Sequence, residues 1–151
     1  MGKEITMSET TYHSRQERIM ADADKVYAAL GDFRNIEKVK HLLPQDKISE
    51  LEYEADFIRF KVDGLGQKIC IKILEREENK TLKFGADNSP IAANFWIQLK
   101  QVEPGDTRLL LTLKADIPMM FKMMLDQKIQ QGMDDAARMI AQMPFNEWTN
   151  N

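Results

Sequence analysis

The residues equipped for chemistry are few and scattered. His13 and His41 are the chain's 2 histidines and Cys70 its 1 cysteine. Neither histidine stands at metal-ligand spacing with a carboxylate or thiol, and a lone cysteine excludes an internal disulfide or a thiolate zinc site built from this chain. No nucleophile is set beside a base, so no triad or dyad emerges. The sequence therefore assigns no catalytic residue, metal or cofactor, and whether the chain is an enzyme stays open, with the balance against it. Asp22 and Asp24 read as helix-start residues rather than as an acid–base pair. Gly64-Leu65-Gly66 falls between two strands, which is the wrong context for a phosphate cradle. Tyr53 is the polar-tipped side chain expected on a buried strand face. Its hydroxyl would orient a ligand or act as a weak acid, although a buried tyrosine more often just finds a protein or water partner. Ser49 and Gln101, near strand ends, are expected on that same face. Trp96 is expected on the outer face opposite Lys114, where a cation–π contact accounts for it.

These positions must be held by a fold, and the bulk composition bounds which one. At 151 residues, with 43% hydrophobic and 30% charged, the chain has the makeup of a single globular domain able to bury a core without metals or disulfides. A formal charge of −3 argues against a general nucleic-acid partner, which needs a concentrated basic face; Lys38, Lys40 and His41 are too few. No apolar run approaches the roughly 20 residues that span a bilayer, and Met1 to Ser8 lacks an apolar signal core. A cytoplasmic, soluble protein without stable membrane insertion is the expectation.

The order of elements carries most of the information. A first strand is expected from Thr11 to Met20. A helix follows to Gly31, with Asp22 as its cap, Asp24 at the positive end of its dipole and Gly31 stopping it in a left-handed conformation. A second short helix runs from Asn35 to His41, ahead of Pro44. From Asp46 to Asp116 the chain reads as six strands. A turn at Ala55-Asp56 sets Tyr53 against Ile58, Leu51 against Phe60, Glu52 against Arg59 and Glu50 against Lys61, so apolar meets apolar and acid meets base. A turn at Gly64 to Gln67 sets Val62 against Ile69, Phe60 against Ile71 and Ile58 against Ile73. A turn at Glu77-Glu78-Asn79 returns Leu82 and Phe84 beside Ile73 and Ile71. The last hairpin, turning at Glu103-Pro104-Gly105-Asp106, pairs Leu99 with Leu111, Ile97 with Leu113 and Phe95 with Ala115. One face is greasy and the other charged, so the greasy face needs a cover. The cover is a helix from Ile117-Pro118 to about Met143, with the stripe Leu125, Ile129, Gly132, Ala136, Ile140 and Met143 turned inward and Pro144 closing it.

The passage Met20 to Phe33 (a strand leading into a capped helix with Val-aromatic-x-x-Leu-x-Asp-Phe), the hairpin Ile73 to Phe84 and the closing helix after Ile117-Pro118 together resemble the START-like (SRPBCC) superfamily, which includes polyketide cyclase-like and lipid-binding members. The resemblance runs from about Thr11 to Met143. It implies an α+β helix-grip fold: a seven-stranded curved antiparallel sheet wrapped around a long C-terminal helix, with two short helices between strands 1 and 2. Residues 1–10 are expected as a flexible N-terminus, 11–144 as the START-like domain and 145–151 as a tail. Superfamily members share no set of catalytic residues that matches here, so none is transferred.

A ligand pocket between sheet and helix is the functional expectation. Its sheet walls would be Leu51, Tyr53, Ile58, Phe60, Ile69 and Ile71, continuing through Leu82, Phe84, Phe95, Ile97, Leu111 and Leu113. The helix would contribute Met124, Leu125, Ile129, Gly132 and Ala136. Gly132 costs about 1 kcal/mol against alanine inside a helix, which points either to close packing or to space left for a ligand. Met119, Met120, Met123 and Met124 crowd the helix start, where flexible thioethers suit a pocket mouth or an interface, while Met133 reads as core. The expected partner is a small hydrophobic molecule or lipid, bound by a monomer or homodimer. The rivals are a cyclase or aromatase-type enzyme using the same pocket, marked by a buried group of shifted acidity, and a co-chaperone-like interaction module.

Overall fold

The computed structural model describes residues 7–148. Strands β1 (Met7–His13) and β2 (Glu17–Ile19) precede helix α1 (Ala23–Leu30) and two 3-10 segments, Phe33–Lys38 and Lys40–Leu42. Strands β3 (Ile48–Tyr53), β4 (Phe57–Val62), β5 (Lys68–Glu77), β6 (Thr81–Asp87), β7 (Ala93–Glu103) and β8 (Asp106–Pro118) follow, then helices α2 (Met119–Ala141) and α3 (Phe145–Trp148). The antiparallel sheet runs β1-β8-β7-β6-β5-β4-β3, with β2 also on β8, so the expected single first strand is two pieces and the sheet has eight strands. Strand β1 starts at Met7, inside the stretch expected to be flexible, and residues 145–148 of the expected tail form α3 with Phe145 buried. Residues 1–6 and 149–151 lie outside the described residues.

Faces hold even where register does not. Tyr53 faces Ile58 and Glu52 faces Arg59 as expected. In the next hairpin Phe60 faces Ile69 and Ile58 faces Ile71, and in the last Ile97 faces Leu111 and Phe95 faces Leu113, each two residues away from the expected pairing. A two-residue offset leaves every side chain on its face, because strands alternate with period two. Bulges are what change faces. Glu50 and Leu51 together oppose Phe60, with Glu50 at φ 52, so the expected Leu51–Phe60 and Glu50–Lys61 pairings give way. Beyond this bulge Ser49 pairs with Lys61 and is exposed, not on the apolar face. A second bulge at Leu74 sets Leu82 opposite Arg76 in place of the expected Ile73, and Phe84 faces Ile73, two residues from the expected Ile71. Trp96 faces Thr112 rather than Lys114, and its cation partner is Lys83 on the neighbouring strand, 5.5 Å from the ring centroid.

The packed core sits where β6, β7, β8 and β1 meet the helices, with Val26, Leu82, Leu109, Leu111 and Ile117 almost wholly buried. Asp22 does not cap α1 through its side chain. Its Oδ1 instead accepts from Gly105 N and Gln101 Nε2, and Gln101 Oε1 accepts from Ala23 N, so one glutamine satisfies a free helix amide and ties α1 to the last hairpin. Gly31 is not left-handed (φ −86). A Cβ there would stand 2.8 Å from Arg76 Nη1 and 2.9 Å from the Tyr27 carbonyl, which is reason enough for glycine.

Helix α2 packs on β8, β1 and β2. Its deepest residues are Met133 and Ala137, about one position round from the expected stripe. Polar anchors set this rotation: Tyr12 Oη donates to Asp126 (2.5 Å), Gln130 Nε2 to the His13 carbonyl and Arg15 N to Asp134. Gly132 is consequently exposed, with no atom within 4 Å of where its Cβ would stand, so it neither packs closely nor borders a buried void.

Candidate functional site

With α2 gathered over one end of the sheet, an apolar cavity of about 340 Å³ remains between the sheet centre, the 3-10 segments and the C-terminal end of the helix. The sheet supplies Ile71, Phe84, Phe95 and Ile97. Ala29 and Leu30 come from the last turn of α1, and Phe33, Ile36 and Val39 from the segment after it. In a 3-10 turn residues i and i+3 eclipse, so these last three form one column aimed inward. Ile140, Met143 and Trp148 close the far side. Backbone and ion-pair ties hold the roof: Phe33 N donates to the Ala55 carbonyl, and Arg76 Nη2 to Asp56 in the same turn. Phe33 meets Phe84 edge-on at 5.8 Å, and Phe84 meets Phe95 at 6.0 Å.

Asp32 and Asn35 are the polar members of this lining, and both are engaged. Asp32 binds the Arg34 guanidinium through both oxygens and also accepts from Arg34 N. The guanidinium holds the Asp32 carboxyl below its ordinary pKa, so it stays ionised and paired. Asn35 donates to the Ala29 carbonyl and accepts from Lys38 Nζ. The interior can thus take up carbon, its carboxylate and amide being engaged and the Trp148 indole N–H its remaining polar side-chain group. The chemistry it supports is shape-selective binding.

Of the walls expected from sequence, Ile71, Phe84, Phe95 and Ile97 converge here. Leu82 and Leu111 are sealed in the core, with Leu113 packed against it. Ile58 is buried outside this lining, and Phe60 and Ile69 are half-buried toward the β3 edge of the sheet. Leu51 and Tyr53 line a separate polar groove with Glu37, Lys40 and His41, and the Tyr53 hydroxyl donates to Glu37. Leu125, Ile129 and Ala136 pack half-buried beside the core, and Met124 is exposed together with Met119, Met120 and Met123. A buried group of shifted acidity is Tyr12. Burial first, and then the Asp126 carboxylate it bonds, push its pKa up to about 12. It lies outside the cavity lining and fastens α2 to β1. Sequence reasoning missed the column Phe33, Ile36, Val39, although its spacing of three was available, and it missed Trp148 by treating residues 145–151 as a tail.

A curved antiparallel sheet closed by a long C-terminal helix, with short helices after the first strand and an apolar space beneath, is the helix-grip fold that the START-like resemblance implies. Comparison with solved structures agrees. The chain matches norcoclaurine synthase from Thalictrum flavum, a point mutant in complex with a transition-state analogue, at TM-score 0.73 and 12% identity, over 97% of this chain and 100% of that one. It matches a conserved protein from Geobacillus kaustophilus at TM-score 0.65 and 12% identity (91% and 96% covered). A protein from Thermobifida fusca matches at TM-score 0.57 and 19% identity (82% and 84% covered). No protein-family profile matches the chain, and no curated protein sequence matches it either. At these identities the likeness is one of fold. Among the described residues no helix is long and apolar enough to cross a membrane, and no cluster of three or more His, Cys, Asp or Glu side chains could hold a metal ion.

Proposed function

We propose that this protein binds a small hydrophobic or amphipathic molecule in the cavity beneath the 3-10 segments. The observation that carries this reading is a 340 Å³ space walled by aliphatic and aromatic side chains whose two polar members already have partners. Such a space lies in the usual size range of ligand sites and gains free energy from buried ligand carbon, at about 25 cal/mol per Å² before association costs. Norcoclaurine synthase, of the same fold, has been crystallised with dopamine and hydroxybenzaldehyde, which supports the reading that this architecture admits small aromatic molecules. A cyclase-type activity in the same pocket would be marked by a buried group of shifted acidity facing the ligand, and the lining carboxylate Asp32 is bound to Arg34.

Native mass spectrometry of the protein purified from cells tests the proposal, with Ala29→Leu alongside to fill part of the cavity. A co-purifying apolar mass that the variant loses supports it. The same mass retained in full by the variant, or no uptake of a neutral naphthalene probe by the unmodified protein, refutes it.

A further inference from the structure

At the mouth of the cavity one cation has no counter-ion among the described residues. Lys38 Nζ lies 3.1 Å from Asn35 Oδ1 and 5.5 Å from the centroid of the Trp148 ring, so it joins two lining residues from opposite walls. Its neighbours differ. Arg34 is held by Asp32 at 2.6 Å, Lys40 by Glu37 at 3.1 Å and Arg76 by Asp56 at 2.9 Å. Lys38 has no carboxylate partner among the described residues, in a chain whose net charge is −3. Its contacts with an amide oxygen and an indole face leave ammonium donors free.

We propose that the ligand is a small aromatic carboxylate, its ring body among Phe33, Phe84, Phe95 and Trp148 and its carboxylate on Lys38 Nζ. This rests on the binding reading above and adds the chemical class. Asp32 and Asn35 are already engaged, so a charged polar end of the ligand is best served at the rim, where the unpaired charge is positive. A cavity of about 150 Å³ lined by Leu, Ile and Phe accepts benzene, so 340 Å³ has room for roughly two such rings. Edge-to-face and tilted ring contacts already line it, and an aromatic body extends that network.

The test measures binding of 2-naphthoate and its neutral isostere 2-naphthamide by calorimetry, with decanoate as the aliphatic carboxylate. The intact protein prefers naphthoate over naphthamide by about two- to fivefold, the worth of an exposed ion pair, and the preference shrinks at high salt. Lys38→Met keeps the methylene cover over Trp148, abolishes the preference and lowers naphthoate affinity more than naphthamide affinity; Lys38→Arg restores the preference. Equal affinity for both probes in the intact protein overturns the proposal, as does an equal loss of both in Lys38→Met, which would make Lys38 merely structural. Decanoate binding as tightly as naphthoate overturns the aromatic assignment. In each of these cases naphthamide still binds the intact protein and the cavity reading survives. If neither naphthalene probe binds, that reading falls as well.

Discussion

Ala29→Leu separates a real cavity from a misplaced one by the sign of a stability change. Ala29 is 7% exposed, in the last turn of α1, and faces the 340 Å³ space. Leucine adds three carbons. At about 0.8 kcal/mol per buried methylene their transfer is worth at most about 2.4 kcal/mol. Loss of rotamer freedom removes about 0.5–1 kcal/mol, and a denatured chain that is already partly compact lowers the gain further. Helix propensity barely changes between the two residues. The expected outcome is a stabilisation of about 1 kcal/mol, seen as a rise in Tm of about 2–4 °C by circular dichroism, with weaker binding of a neutral naphthalene probe. Were the space already filled, three extra carbons would strain the packing and cost about 1–3 kcal/mol. A lowered Tm with unchanged probe affinity would refute the reasoning.

Gly132→Ala stabilises by about 1 kcal/mol in chemical denaturation, because the position is exposed and nothing stands within 4 Å of the added Cβ. Phe145→Ala costs about 3–5 kcal/mol, since the ring is 1% exposed and anchors α3 against the core. Met123→Ser leaves stability within about ±0.5 kcal/mol, given a side chain 91% exposed. The Tyr12–Asp126 bond makes stability fall at both pH extremes. Lys122, and then Tyr12, hold the Asp126 carboxyl below its ordinary value, so its contribution is present above that value and disappears as acid protonates it. Tyr12 is raised, so its contribution is complete below pH 10 and vanishes as pH climbs through about 12. Tyr12→Phe should flatten the alkaline arm of a stability–pH profile, and an unchanged arm would sink the assignment.

Much of the fold was legible because alternation along a strand is a strong signal, whereas register depends on how many residues a turn consumes. The hairpins after Val62 and Val102 each shifted by two, which the sequence cannot distinguish from zero on facial grounds. Bulges at Glu50 and Leu74 were illegible for another reason: they satisfy long-range needs, and no local residue type announces them. The rotation of α2 was misjudged because Asp126, Gln130 and Asp134 look like solvent-facing residues until Tyr12, His13 and Arg15 are placed beneath them. The half of the site that lies on the sheet was readable by alternation. The half on the 3-10 column followed a period of three, for which the reading made no allowance.

The irregularity at Glu50 bears on how copies of this chain treat one another. Strand β3 ends the sheet, and its outer row of peptide groups would template a strand from a neighbour. Instead Glu50 sits at φ 52, breaking the ladder, with its carboxylate held near Lys61 and Lys68. That conformation costs a non-glycine residue about 1–3 kcal/mol, a penalty that protects the rim against edge-to-edge accretion. Straightening it would strengthen the fold locally and invite fibrils.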